Sequence, residues 1–428
     1  MHGPFTRREF VRGLGLVGLS STVPGFLTRT ARAMADDSGG RRRRADAQQD
    51  KALPGPVDAR VLVVLQLAGG NDGLNTIIPV RNDVYYRMRR KLAVPARQAL
   101  KLTDEFGLHP AAKGLKELYD DGLLGVIHGV GYPNPNRSHF VSTDIWETAD
   151  PNQRTFTGWV GRYFDSCCAG ADPPDPKLGI ALTKEAPLTM TGAKFSPVSF
   201  VSPDQLQFQP HHTNKGAREV FSHLNDEPHA PAQGKTLRTL DFLRREAFDA
   251  RMNVDDIREA AGRGGVGPRA SLSAHLTMVA NMIAAGLPTR VYYVSLTGFD
   301  THSGQEGRHQ GLLAQLGDGL SAFYKALKST GHQDRVLVMT FSEFGRRVEE
   351  NASGGTDHGA AAPMLLVGPS IKPGLLGRHP SLSDLDAGDL KHTTDFRAVY
   401  ATVLENWLGV DAGKLIPGAS ATLGLLKA

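Results

Sequence analysis

Residues 59–70 read ARVLVVLQLAGG, an apolar run interrupted near its end by Gln66 and closed by two glycines. Valine and leucine without polar alternation suit a strand covered on both faces, as in a parallel sheet between helices. The same kind of run recurs along the chain: LLGVIHGVG at 123–131, VYYVSL at 291–296, RVLVMTF at 335–341 and MLLVG at 364–368. Between these runs, helices are expected over 110–121, from Ser138 through Trp146, and over 236–252, 271–286, 309–328 and 395–408. Strand and helix alternating in this way predict an α/β fold, a three-layer α/β/α sandwich with a mostly parallel central sheet.

The remaining stretches set the domain plan. Residues 6–12 read TRREFVR, followed by a Gly-rich, weakly apolar stretch to Leu27 and small-x-small sites around Ala31, Ala33 and Ala35. That order is the plan of an export signal, and the paired arginines resemble a twin-arginine signal. A basic amphipathic helix is the alternative reading. Residues 1–35 are therefore expected to engage the twin-arginine export machinery, and the mature protein to be periplasmic or secreted. Residues 36–57 are polar and charged and read as a disordered linker, with Arg41–Arg44 balanced by nearby aspartates. The domain proper is expected over 58–428, with an irregular, cap-like insertion near 168–235 and a glycine-rich loop at 262–268.

Composition closes off several functions. The net charge of +5 is mostly the amino-terminal segment, where Arg7, Arg8, Arg12, Arg29 and Arg32 face only Glu9. What is left makes no electrostatic case for nucleic acid. No apolar run reaches the roughly 20 residues of a membrane span in the mature chain. The two cysteines, Cys167 and Cys168, are neighbours and read as buried thiols rather than a disulfide. No Gly-Lys-Ser/Thr follows a glycine-rich loop, and no G-x-S-x-G elbow occurs, so neither a P-loop nor an α/β-hydrolase triad is expected. His109 reads as a helix-start residue and His128 as a core histidine.

In open α/β sheets, ligands bind beyond the carboxyl ends of the strands. Those ends deliver GGNDG (69–73) with Asp72, Arg137-Ser138-His139, Asp300 and His302 after 291–296, and Ser342 to Arg346 with Glu343 after 335–341. GGTDHG (354–359) adds Asp357 and His358. Carboxylates and imidazoles from several loops suit one or two divalent cations: oxygen sets for Mg²⁺, Mn²⁺ or Ca²⁺, mixed sets for Zn²⁺. Such ions promote displacement at phosphorus or sulfur. Ser138 stands where a nucleophile would gain from a helix amino terminus, and Arg137 and Arg346 could hold a tetrahedral anion. Each element also has a structural reading. GGNDG is ordinary turn composition, Asp300 and His302 could cap a helix, Glu343 could pair with Arg346 or Arg347, and Ser138 could be only a cap.

Five segments together resemble one bacterial family: LVVLQLAGGNDGLNTIIPV, HGVGYPNPNRSHFVSTDIWETA, GFDTHSGQ, MTFSEFGRRVEENASGGTDHG and DFRAVYATVLENWLG. It is the domain-of-unknown-function family 1501, grouped with the alkaline-phosphatase-like superfamily of sulfatases, phosphatases and cofactor-independent phosphoglycerate mutases. The resemblance runs from about residue 59 to the carboxyl end. It implies a metal-dependent hydrolase fold acting on an anionic small-molecule or polymer ester. On that resemblance Asp72 would be the first-strand metal ligand, Ser138 the nucleophile, Asp300 and His302 an Asp-plus-His pair, and His358 a late histidine ligand. Glu343 would stand where the superfamily has Asp-His, and His309 could supply a missing ligand. Asp-x-His is shorter than the superfamily's usual spacing, and no Cys/Ser-x-Pro-x-Arg motif is present. The sequence thus supports two functions, an exported phosphate or sulfate ester hydrolase, or an exported binding protein that keeps the fold without turnover.

Overall fold

The computed structural model describes residues 60–167, 174–206, 256–262, 270–419 and 421–427. The expected signal segment and linker, the helix at 236–252 and the loop at 263–268 lie outside them, as does Cys168. A nine-stranded sheet forms the middle layer. Its strands are β1 (Val61–Ala68), β2 (Leu124–Gly131), β3 (Gly179–Ala181), β4 (Val198–Ser199), β5 (Val291–Thr297), β6 (Val336–Phe341), β7 (Ala362–Val367), β8 (Gly374–Leu376) and β9 (Thr394–Asp395). The order across it is β8-β2-β7-β6-β1-β5-β3-β4, with β9 also pairing β2.

The apolar run that opened the sequence is the centre of this sheet. β1 pairs in parallel with β5 (Leu62 opposite Val291) and with β6 (Val61 opposite Val336). Because successive side chains on a strand point to opposite faces, the run serves two cores. Val61, Val63, Leu65 and Leu67 pack with helices α1 (Lys113–Asp120), α4 (Leu272–Ala284) and α5 (Gln305–Ser329). Leu62 and Val64 pack on the other face with α2 (His139–Thr148), α3 (Trp159–Cys167) and α6 (Phe396–Thr402). The three-layer sandwich follows directly. Burying a valine or leucine contributes roughly 1.5–3 kcal/mol, so the central strand carries much of the fold's stability. Cys167 is buried on α3.

Two features differ from the expectation. Residues 174–206, read as part of a cap-like insertion, lay β3 and β4 in parallel along the sheet edge beside β5. Their three- and two-residue lengths are too short to show periodicity, so the sequence pattern could not display them. The second is a reversal. β7 runs antiparallel to both β2 and β6, while the other pairings in the sheet are parallel. The reversal matters for function, because the start of β7 then lies at the edge where β1, β2, β5 and β6 end. GGTDHG precedes β7 and is delivered to that edge by the reversal.

Candidate metal centre

Four strand connections and the lead into β7 meet at this edge. Gly69 shows how closely they approach. Its φ is +117°, and a Cβ there would lie 2.3 Å from the Asp300 backbone nitrogen, so only glycine lets the β1 and β5 loops touch. After β6, Arg346 opens a two-stranded ribbon, Arg346–Glu350 paired with Thr356–His358. The ribbon folds Asp357 and His358 back over the sheet edge.

His139, Asp300 and His358 form the centre of the cluster, with one potential ligand atom from each lying within 4.8 Å of the others. His302 joins it: its Nε2 is 2.9 Å from His358 Nε2 and 3.2 Å from Asp300 Oδ1. His358 Nε2 is likewise 3.2 Å from Asp300 Oδ1, and His139 Nε2 is 3.4 Å from Asp300 Oδ2. Phe344 packs against His139 and His358, with ring centroids 4.9 and 4.4 Å away.

The outer nitrogens of these rings decide what the inner ones can do. His358 Nδ1 is 2.8 Å from the Arg137 carbonyl, which can only accept, so Nδ1 carries the proton. His139 Nδ1 donates to Glu343 Oε1 at 2.8 Å, and that oxygen also accepts from the Gly69 amide at 2.8 Å. His302 Nδ1 faces Asp357 Oδ1 at 3.2 Å. Asn351, bonded to the same oxygen at 3.0 Å, and His302 hold the Asp357 carboxyl below its usual range, so it stays an acceptor. Each of the three rings thus keeps Nδ1 outward and turns Nε2 toward Asp300. An outward Nδ1–H held by a carboxylate or carbonyl is the arrangement that orients metal-binding histidines.

Asp300 is ionised. Burial acts to raise its pKa, but the hydrogen bond and charge of Arg346, with His358 Nε2 close by, outweigh it and hold the carboxyl at about 2. Burial pushes His358 downward, which favours the neutral ring. Three Nε2 atoms at 3.2–3.4 Å from one carboxylate, two of them 2.9 Å apart, call for a shared proton or a cation among them.

The other expected site residues divide into three groups. Glu343 and Asp357 stand behind His139 and His302 as hydrogen-bond acceptors. Arg346 is wholly buried and donates to the Gly70 and Thr356 carbonyls at 2.8 Å, to Phe299 at 3.1 Å, to the Gly69 carbonyl, and to Asp300 at 2.7 Å. With its guanidinium committed to these acceptors, it clamps three loops and the Asp300 carboxylate instead of holding an anion. Asp72 and His309 lie in a separate buried network. Asp72 Oδ2 accepts from Arg89 and from Gln305, both at 2.5 Å, and His309 Nε2 bonds Asn71 Oδ1 at 3.0 Å. Burial works against the Asp72 charge but Arg89 prevails, and burial pushes His309 down to about 4. In place of metal ligation, Asp72 braces the floor through Gln305, which accepts from Thr301 and Thr356 at 3.1 and 2.7 Å, and His309 holds the neighbouring Asn71.

Ser138 is exposed at the N-cap of the ten-residue α2, and its side chain makes no capping bond. It sits between Arg137, which holds His358 by its carbonyl, and His139, which joins the cluster. Arg137 bonds Asp389 through Nε at 2.7 Å and Nη2 at 2.5 Å, and its side chain is 40% exposed. From sequence, His139 is placed at a strand end but given no role, and Asp389 is not singled out. The first stands beside Ser138 at the same strand end, which was a usable signal. No local pattern marks the second.

The family described as "Protein of unknown function (DUF1501)" matches residues 125–422. The chain belongs to this family. No curated protein matches it. Among solved structures this DUF1501 chain is similar to the lipoteichoic acid synthase LtaP from Listeria monocytogenes, at 12% identity over 86% of this chain and 76% of that one, with a TM-score of 0.36. It is similar to the phosphonate monoester hydrolase SpPMH from Silicibacter pomeroyi, at 11% identity over 86% and 76%, TM-score 0.36. It is also similar to the periplasmic domain of EcEptC from Escherichia coli in a complex with Zn, at 12% identity over 74% and 77%, TM-score 0.33. Among the described residues, no helix is long and apolar enough to cross a membrane.

Proposed function

We propose that this DUF1501 protein is an exported, metal-dependent hydrolase of phosphate or sulfate esters. The observation that carries the reading is the outward hold on Nδ1 of His139, His302 and His358, which turns three Nε2 atoms to the Asp300 carboxylate. Nitrogen-rich donors with one carboxylate fit Zn²⁺ or another imidazole-preferring transition ion better than Mg²⁺ or Ca²⁺, which favour all-oxygen sets. A divalent cation bound there supplies Lewis-acid charge to a phosphoryl or sulfuryl oxygen.

The chain's own residues supply the rest. Ser138 presents a hydroxyl with no capping bond at the amino end of α2, where backbone N–H groups favour developing negative charge. Arg137 turns one guanidinium edge to Asp389 and leaves Nη1 for an anionic substrate oxygen. Phe344 shields one side of the histidines from water.

The test is metal content of the purified full-length protein by plasma mass spectrometry, followed by a phosphatase and sulfatase screen with Zn²⁺, Mn²⁺, Mg²⁺ and Ca²⁺. One equivalent of a transition metal, absent from Asp300→Ala, and turnover abolished in Ser138→Ala support the proposal. A Ser138→Ala protein with wild-type turnover removes the nucleophile. Metal binding without turnover on any ester favours the binding-protein reading.

A further inference from the structure

Asp389 lies far from the cluster in sequence, on a small hairpin that pairs Leu385–Asp386 with Asp389–Leu390. The turn uses two left-handed residues, Ala387 at φ 49° and Gly388 at φ 91°, and a Cβ on Gly388 would lie 3.8 Å from the Arg347 guanidinium carbon. This turn sets the Asp389 carboxylate, 3% exposed, between two arginines. Oδ2 takes both Nε and Nη2 of Arg137, and Oδ1 is 3.5 Å from Arg347 Nε.

Arg137 lies in the irregular connection between β2 and α2, where no sheet ladder holds the backbone. The local bonds in that connection are few: the Asn136 amide to the Tyr132 hydroxyl at 3.0 Å, and the Ser138 amide to Asn136 Oδ1 at 2.8 Å. The second turns the Arg137–Ser138 peptide plane, to which the Arg137 carbonyl belongs, and the Arg137 side chain adds a further hold on that carbonyl. That carbonyl is the acceptor of His358 Nδ1–H, and it therefore decides which His358 nitrogen faces Asp300. The side chain of Arg137 is a second anchor beside the Ser138 amide bond, and Asp389 is what anchors the side chain.

We propose that Asp389 is a positioning residue for the metal centre: through Arg137 it fixes the carbonyl that holds His358 with Nε2 turned inward. The inference rests on the metal reading above and extends it to a hairpin that touches none of the proposed ligands. Outer partners of metal-binding histidines change metal affinity about 10–100-fold when lost. Arg137→Ala keeps the carbonyl but loses the anchor, so it should act as Asp389→Ala does.

The experiment compares full-length wild type, Asp300→Ala, Asp389→Ala, Arg137→Ala and the double variant. Zn²⁺ affinity is read by competition with a chromophoric chelator, the Co²⁺-loaded visible spectrum reports the ligand field, and thermal melts of the metal-free proteins report folding. The expected result is a Zn²⁺ Kd raised about 10–100-fold in each single variant, an altered Co²⁺ spectrum, and a double variant no weaker than either single one. Arg137→Ala, altered at a partly exposed side chain, tests the proposal even if Asp389→Ala fails to fold. Wild-type Zn²⁺ affinity and Co²⁺ spectrum in Arg137→Ala would overturn it, and so would fully additive losses in the double variant. A wild type that binds no more metal than Asp300→Ala refutes the metal reading itself, an outcome distinct from a metal-binding wild type matched by its Arg137 and Asp389 variants.

Discussion

His302 and His358 meet Nε2 to Nε2 at 2.9 Å, and each ring is turned to that meeting by a hydrogen bond on its other nitrogen. Two ring nitrogens so close need a proton or a cation between them. The two rings are not equivalent, since His358 belongs to the trio with His139 and Asp300 while His302 reaches two of those three. His358→Ala is therefore expected to abolish tight Zn²⁺ binding, and His302→Ala to weaken it less. Isothermal titration of the metal-free proteins measures both, and the reverse ranking would contradict the assignment.

Glu343 joins the β1 and β6 loops by accepting from both the Gly69 amide and His139 Nδ1 on one oxygen. Its other oxygen is buried without a hydrogen-bond partner, so Oε1 alone carries its contacts to the site. Glu343→Gln keeps shape and removes the charge. It should lower metal affinity about 10–100-fold while the protein remains folded. Unchanged affinity would show that the carboxylate serves loop packing alone.

The central strand and the edge that bears the site were readable because their causes are local: a double-faced apolar run, and small or polar residues at the strand ends. The division of labour at that edge was not. Asp72 and Asp300 look alike in sequence, each an aspartate after a strand and a glycine. Arg89 and Gln305 meet Asp72 through tertiary contacts, while Asp300 is left facing histidines. Arg346 likewise resembles an anion-holding residue until its carbonyl partners are seen. The reversal of β7 escaped because an apolar run of that length carries no mark of its direction.

The Asp72–Arg89 pair has no solvent exposure on either side chain, so removing one partner strands a buried charge. Arg89→Met should destabilise the fold by about 3–5 kcal/mol, measured as a lowered urea midpoint. Asp72 is held apart from the cluster, so Asp72→Asn protein that folds should keep its metal equivalent. Loss of metal from folded Asp72→Asn would return Asp72 to the ligand set.

His128 gives a pH dependence with a defined sign. It lies on β2 with Nε2 buried and unpartnered, and its ring is 5.1 Å from His379 and 5.0 Å from Phe106. Burial, with a smaller effect from His379, lowers its pKa from 6.5 to about 4. Between these values the unfolded chain binds a proton that the folded one refuses. The neutral ring's contribution is therefore fully present above about pH 6.5 and is lost as pH falls toward 4, by about 3 kcal/mol at roughly 1.4 kcal/mol per unit. His128→Phe retains an aromatic ring, breaks no bond at Nε2, and cannot be protonated. Urea midpoints taken from pH 7.5 to 4.5 should therefore converge on wild type at the upper end and exceed it progressively at the lower. His309, also held at about 4 by burial, leaves a residual acid slope in the variant. Parallel profiles for the two proteins would mean that His128 is protonated in the folded state as readily as in the unfolded chain.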